Sequence, residues 1–254
     1  MFKRKILSKL EAWKQDERHK PLILRGARQV GKTTVVNEFG SQFDNYLYFN
    51  LEMSESVRLF EMDIPLNDLV NMLFASLGKS QKKGSTLIFI DEIQNSPKTI
   101  ALLRYFYEQR PDLYVIAAGS LLENLVDVNV SFPVGRVMYL ALRPCSFYEF
   151  LGAIGKNNLL TILSQKAEYS IAFHEQLMHQ FNQYTIIGGM PEAVQHYAET
   201  QDIIAIEDVY ETLVQAYKDD SEKYARSNKL TDVVRFILSY GWAFSGNELL
   251  HEWY

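Results

Sequence analysis

The order of apolar and polar residues divides the chain into two parts of different character. In the first part, short apolar runs alternate with segments whose apolar residues recur at helical spacing. Alternation of this kind predicts an α/β fold, in which a parallel five-stranded sheet is covered by helices on both faces. The five predicted strands are Pro21–Leu24, Tyr46–Leu51, Thr86–Ile90, Leu113–Ala118 and Val137–Leu142.

After the fifth run the strands stop and helical patterns follow one another. Ser146 opens this part with a capping box, because its side chain and that of Glu149 are spaced to accept each other's backbone N–H groups. We therefore predict a boundary near residues 143–146, between an α/β core and an all-helical region. The predicted helices are Lys3–Lys14, Pro65–Gly78, Lys98–Tyr107, Leu159–Leu163, Ala172–Gln183 and Pro191–Glu199, followed by a long one that carries Ile206 and Tyr217.

The distribution of charge along the chain indicates where an anion would bind. The chain has 254 residues and a net charge of −5, yet residues 1–34 hold ten lysines and arginines against three acidic residues. A compact positive zone in an acidic chain predicts a local anion site and argues against a broad nucleic-acid surface. The single cysteine, Cys145, excludes a disulfide framework and is typical of a cytoplasmic protein. No apolar run reaches the length of a membrane span, so no membrane association is predicted.

The anion site is predicted at a glycine-containing loop directly after the first strand. Gly26-Ala27-Arg28-Gln29-Val30-Gly31-Lys32-Thr33 has the pattern G-x-x-x-x-G-K-T. The glycines let backbone N–H groups approach phosphate oxygens, and the helix that follows adds its positive N-terminal end. Lys32 is expected to reach the β- and γ-phosphates of a nucleotide, and the Thr33 hydroxyl to bind Mg²⁺. The binding segment is expected to extend to Thr34.

A second motif lies at the end of the third predicted strand. Four apolar residues, Leu87–Ile90, are followed by the carboxylates of Asp91 and Glu92. In open α/β sheets, ligands bind at the carboxyl ends of the strands. Asp91 is therefore expected to hold Mg²⁺, and Glu92 to polarise the attacking water as the general base.

Together the two motifs resemble the AAA+ superfamily of P-loop ATPases, in the branch that carries a glutamate beside the Mg²⁺-binding aspartate. The segment from Leu142 to Leu151 resembles the block L-x-P-x-S-F-x-E-F-L of a prokaryotic family of predicted AAA-type ATPases, and Ile187–Val194 is similar to its G-G-x-P-E-A-V block. The resemblance implies a P-loop core over residues 1–145 and a helical lid over 146–230. Residues 231–254 would begin a winged-helix-like segment, which in that family precedes a part resembling a restriction endonuclease.

The same resemblance implies roles for three further residues. Ser120 would be the sensor-1 residue beside the γ-phosphate, Arg136 an arginine finger, and Asn50 a restraint on Glu92. Each has a simpler interpretation: Ser120 as a helix cap, Arg136 as a salt-bridge residue, and Asn50 as a partner of a strand-end backbone group. One departure concerns the lid, because Gly188–Val194 contains no arginine to serve as sensor 2.

Two weaker candidates are set aside. His174 and His179 are five positions apart, so on a helix they point in different directions and do not bind one metal ion together. Cys145 has no histidine near it in the sequence and is expected to pack as a small apolar residue.

The sequence therefore predicts an ATP-binding, Mg²⁺-dependent ATPase that couples hydrolysis to movement of its lid and is slow without a partner. Two alternatives stay open: a nucleotide-gated signalling switch that resembles the STAND class and turns over negligibly, and a DNA-handling ATPase. The expected partners are ATP and either further copies of the chain or another protein. DNA would be contacted only through a C-terminal part that this chain lacks.

Overall fold

The computed structural model describes residues 2–119, 135–164, 172–224, 232–233 and 236–237. These residues include one five-stranded sheet, and every pair of neighbouring strands in it is parallel. The predicted fold class is confirmed. The strands are β1 (Leu22–Arg25), β2 (Asn45–Asn50), β3 (Thr86–Asp91), β4 (Leu113–Gly119) and β5 (Met138–Ala141).

The order of the strands across the sheet is β2-β3-β4-β1-β5. Arg25 at the end of β1 is in register with Gly119 and Ala141, and Asn50 is in register with Asp91. All five strands therefore end at one edge of the sheet, which we call the carboxyl edge. It is the edge at which α/β sheets bind their ligands.

Helices cover the two faces of the sheet. Along β3, Leu87 and Phe89 pack into the apolar cluster under the first two helices, whereas Ile88 and Ile90 pack into the cluster on the other face. A strand buried on both faces needs apolar residues at consecutive positions, which explains its continuous apolar run. The helices of this part are α1 (Ile6–Gln15), α2 (Lys32–Gly40), α3 (Ser54–Phe60), α4 (Leu66–Ser76) and α5 (Pro97–Gln109).

In the second part of the chain, the elements that the structure describes after β5 are all helices. A small apolar core of its own contains Phe150, Ile187, Val194 and Tyr197. The capping box that opens it forms as its spacing predicts, because Ser146 accepts from the Glu149 N–H and Glu149 accepts from the Ser146 N–H. Its helices are α6 (Phe147–Ala153), α7 (Asn157–Ser164), α8 (His174–Ile187), α9 (Pro191–Thr200) and α10 (Glu207–Tyr224).

The structure differs from the sequence-based elements mainly at helix ends. Helix α8 continues to Ile187, four residues beyond the predicted end, because Ile187 is buried in the helical part and Gly188, with φ of 73°, is the first residue that breaks the helix. Helix α3 had not been predicted. Among the described residues, no helix combines the length and apolar character needed to cross a membrane.

Candidate nucleotide site

The glycine-containing loop lies at the carboxyl edge, between β1 and α2. Two of its residues, Gln29 and Gly31, have positive φ angles of 59° and 87°. A side chain at Gly26 would place its Cβ 2.3 Å from the Leu142 carbonyl oxygen, so only glycine fits between the loop and the chain that leaves β5. The loop is therefore shaped by backbone geometry that other residue types adopt at a cost.

Lys32 is the first residue of α2, directly after this loop, and is only 7% exposed. Its Nζ donates to the carbonyl oxygens of Gly26 and Ala27, at 2.8 and 2.9 Å. Burial lowers the pKa of Lys32 from its ordinary value, while the negative charges of Glu92 and Asp91 act in the opposite direction. A buried lysine therefore lies beside the loop backbone, an arrangement suited to binding a phosphate group.

Thr33, the second residue of α2, contacts the end of β3. Its Oγ1 donates to Asp91 Oδ2 at 2.6 Å, and Asp91 Oδ1 accepts from the Glu92 N–H at 3.1 Å. Burial raises the pKa of Asp91, and the hydrogen bond from Thr33 opposes that rise. A hydroxyl and a carboxylate in contact beside a phosphate loop are oxygen ligands of the kind that Mg²⁺ prefers. The residues present therefore fit this ion.

Glu92 follows in an uncommon backbone conformation. Its φ is 53°, in the left-handed region, which costs a residue other than glycine about 1–3 kcal/mol. Glu92 is one of the residues that line the cavity above the loop, and its Oε2 accepts a hydrogen bond from Gln94 Nε2. Strain of this kind is typical of functional sites. Sequence reasoning missed Gln94, although it lies only two residues after Glu92.

Asn50 ends β2 beside Asp91, so the structure brings it to the same edge. Its Oδ1 accepts from the Glu52 N–H at 2.8 Å, a local turn contact of the kind that the simpler interpretation describes. The neighbour that contacts the Glu92 carboxylate is instead Gln94. A restraint by Asn50 stays a prediction.

A cavity of about 700 Å³ lies between the loop and the helical part of the chain. On the core side it is lined by residues 28–29 and 31–35 together with Glu52 and Glu92. The other lining residues had not been predicted, and they come from the N-terminus and from α9: Phe2, Arg4, Pro191, Glu192 and Gln195. The G-G-x-P-E block within Ile187–Val194 was the one sequence signal that indicated a role for the start of α9.

Two predicted residues are not brought into this cavity. Ser120 lies outside the described residues. Arg136 precedes β5 at the opposite edge of the sheet, where its Nε lies 2.5 Å from Glu108 Oε1. The structure thus contains the salt bridge of the simpler interpretation. An action of this arginine on the site of another copy of the chain stays a prediction.

Comparison with known families places the chain in a class. A family model described as "AAA domain" matches residues 18–151, more than half of the chain, and the protein belongs to this family. A model described as a domain of unknown function matches residues 178–248. No curated protein matches the sequence. By family and fold, the protein is therefore a P-loop ATPase of the AAA type.

The chain is also similar to solved structures at low sequence identity. The Walker-type ATPase PABY2304 of Pyrococcus abyssi is 18% identical, with a TM-score of 0.53, over 90% of this chain and 77% of that one. PCH-2 of C. elegans is 12% identical, with a TM-score of 0.42, over 94% and 68% of the two chains. The Drosophila ORC structure bound to DNA is 14% identical, with a TM-score of 0.41, over 93% and 66%.

Proposed function

We propose that this protein binds ATP with Mg²⁺ in the cavity above the phosphate loop and hydrolyses it. The observation that carries the proposal is the contact between Thr33 and Asp91 beside the buried Lys32, with Glu92 at the rim of the same cavity. This set combines a cation for the phosphates, oxygen ligands for a metal ion and a carboxylate at the cavity, held by Gln94, for proton transfer. ATP, rather than GTP, is the nucleotide that the AAA family resemblance implies.

Each residue has a task in this proposal. The loop N–H groups and Lys32 bind the β- and γ-phosphates, and Lys32 exchanges its contacts with Gly26 and Ala27 for phosphate oxygens. Thr33 and Asp91 hold Mg²⁺, which neutralises charge on the phosphates when it is bound. Glu92 orients a water molecule toward the γ-phosphate and accepts its proton.

Two features support a protein that hydrolyses slowly and changes its lid position with the nucleotide. Helix α9 lines the cavity, so a bound nucleotide would contact both the core and the lid, residues 146–230. The described lid residues that line it are Pro191, Glu192 and Gln195, which include no cation for the γ-phosphate. This second feature also favours the alternative of a nucleotide-gated switch with negligible turnover.

The proposed binding site is tested with Lys32→Ala. Loss of a charge-assisted contact to phosphate, about 1.5–3 kcal/mol, weakens ATP binding about tenfold or more. Affinity is measured with a fluorescent ATP analogue and Mg²⁺, after circular dichroism has shown that the variant folds. Lys79→Ala is the matched control, since Lys79 Nζ also donates to a backbone carbonyl, that of Tyr46, away from the cavity. A folded Lys32→Ala protein with parental affinity would refute the site.

Hydrolysis is tested separately from binding. Phosphate release is followed with ATP and with GTP, with and without Mg²⁺, and with and without DNA. Turnover that needs Mg²⁺ and prefers ATP supports the ATPase. Tight ATP binding without measurable turnover supports the switch, and stimulation by DNA supports the third alternative.

A further inference from the structure

Arg4 is a buried arginine just before α1, and it links three separate parts of the chain. Its exposed fraction is 5%. Nη1 donates to the Val30 carbonyl in the phosphate loop at 3.0 Å, and Nη2 donates to the Arg143 carbonyl between β5 and α6 at 2.7 Å. Nε donates to Glu149 Oε1 in the lid helix α6 at 3.0 Å. One guanidinium group therefore joins the loop, the connection between core and lid, and the lid.

Glu149, the acidic member of this ion pair, accepts further hydrogen bonds from neighbouring residues. Its Oε1 also accepts from the Lys5 N–H at 2.9 Å, and its Oε2 accepts from the N–H and the hydroxyl of Ser146 at 2.8 and 3.0 Å. Both side chains of the pair are nearly buried, with exposed fractions of 5% and 9%. Removal of one member of such a pair leaves the other as a buried charge with unmet hydrogen bonds.

The contact with Val30 has a direct consequence for the phosphate loop. A peptide unit is planar and trans, so its C=O and N–H point in opposite directions. When Arg4 holds the Val30 carbonyl, the Gly31 N–H is turned away from the guanidinium, and this N–H belongs to the segment that cradles phosphate. A Cβ at Gly31 would lie 3.6 Å from Arg4 Nη1 and 3.9 Å from Pro191 Cγ, so this peptide lies where core and lid meet.

From these contacts we propose that Arg4 is a positioning residue for nucleotide binding. It orients the Val30–Gly31 peptide for phosphate and ties that orientation to α6 through Glu149, so that the loop and the lid take up one arrangement together. The inference rests on the proposed function of the loop. Arginine is suited to this task because its planar fork reaches three acceptors in fixed directions, whereas lysine offers a single point charge.

The test compares the ATP affinity of Arg4→Met, Arg4→Lys and Glu149→Gln with that of the parent. Arg4→Met is expected to weaken binding about tenfold, equivalent to about 1.4 kcal/mol. Arg4→Lys keeps the charge without the fork and is expected to lose roughly threefold. Arg110→Met is the matched control: Arg110 pairs with Asp112 at the opposite edge of the sheet, so its loss changes thermal stability without changing affinity.

A double variant tests whether Glu149 acts through Arg4. If it does, Glu149→Gln weakens ATP binding in the parent but causes no further loss in the Arg4→Met background. Additive losses would overturn the proposed linkage of loop and lid. If Arg4→Met does not fold, the ATP affinities of Arg4→Lys and Glu149→Gln test the proposal. Parental ATP affinity in both variants would overturn it.

These experiments distinguish a failure of the inference about Arg4 from a failure of the proposed function. If the parent binds ATP and Lys32→Ala does not, while folded Arg4→Met binds like the parent and shows only a lowered melting temperature, Arg4 is merely structural and the nucleotide site stands. If the parent itself fails to bind ATP, the proposed function fails, and the inference about Arg4 fails with it.

Discussion

The two sides of the cavity differ in what they offer a nucleotide. The core side presents Lys32 and Glu92 from the carboxyl edge of the sheet, with the contact between Thr33 and Asp91 directly beside them. The lid side presents a proline, a carboxylate and an amide: Pro191, Glu192 and Gln195. Groups suited to phosphate chemistry are therefore concentrated on the core side of this cavity.

The difference between the two sides suggests that the core and the lid have different tasks. Binding of phosphate and metal needs charged groups on a rigid frame, and the strand ends of a buried sheet provide one. The lid contributes contact surface and, through Glu149 and Arg4, a connection to the phosphate loop. A further cation for the γ-phosphate would have to come from outside the described lid residues that line the cavity.

The largest effect is expected for Glu92→Gln. The substitution keeps the shape of the side chain but removes the proton acceptor, so turnover falls by about 10²–10⁴-fold while ATP affinity is retained. Phosphate release under single-turnover conditions and an equilibrium titration with ATP measure the two quantities.

Glu192→Gln is the control for that prediction, because Glu192 lines the same cavity from the lid. Turnover of this variant is expected to stay close to that of the parent. If Glu192→Gln loses turnover while Glu92→Gln keeps the turnover of the parent, the general base is Glu192 of the lid and not Glu92 of the core.

A smaller effect is expected for Arg136→Ala, if the missing cation comes from a second copy of the chain. The specific activity of the parent would then rise with protein concentration, and the variant would lose up to about 10³-fold of that rate while binding ATP normally. Activity is measured across a range of protein concentrations beside a size measurement by light scattering.

The salt bridge with Glu108 supplies the control for Arg136. If Arg136 has only a structural role, Arg136→Ala lowers the melting temperature, and Glu108→Ala, which also breaks the pair with Arg104, lowers it at least as much. Activity per molecule then does not depend on concentration. If the specific activity of the parent protein does not change with protein concentration, Arg136 is not an arginine finger for a second copy of the chain.

The smallest of these effects concerns Cys145, at the junction of core and lid. Burial raises the pKa of its thiol to about 11, above an ordinary value of 9.0. Because the thiolate is the reactive form, alkylation at pH 8 is expected to be at least about tenfold slower in the folded protein than in the unfolded chain. Since folding disfavours the thiolate, this group also lowers stability as the pH rises above 9.0 toward 11.

Labelling of Cys145 also reports on the lid. Its N–H donates to the Gly189 carbonyl and its carbonyl accepts from the Tyr184 hydroxyl, so exposure of the thiol requires these lid contacts to open. If ATP holds core and lid together, it slows alkylation further. Mass spectrometry after timed quenching measures the rate, and equal rates with and without ATP would mean that the nucleotide does not stabilise the junction.

The elements that could be predicted from sequence are those whose pattern follows from burial or from backbone chemistry. Strand β3 was predicted to within one residue because a strand buried on both faces has to be apolar throughout. The phosphate loop was located by Gly26 and Gly31, where close approach or a positive φ requires glycine. Helix α3 was missed because it is short and has one fully buried residue, Phe60, while Val57 and Leu59 are only partly buried.

The residue pattern is enough to assign the class of the protein: an α/β core with a phosphate loop and an acidic pair after a buried strand. Only the tertiary structure showed which neighbours complete the site. In the sequence, Arg4 is one cation in a basic stretch between Lys3 and Lys5. Its acceptors lie 26, 139 and 145 residues away, at Val30, Arg143 and Glu149. Local patterns record how each segment is buried, whereas contacts between distant segments depend on how the whole chain packs, so they become visible only in the folded protein.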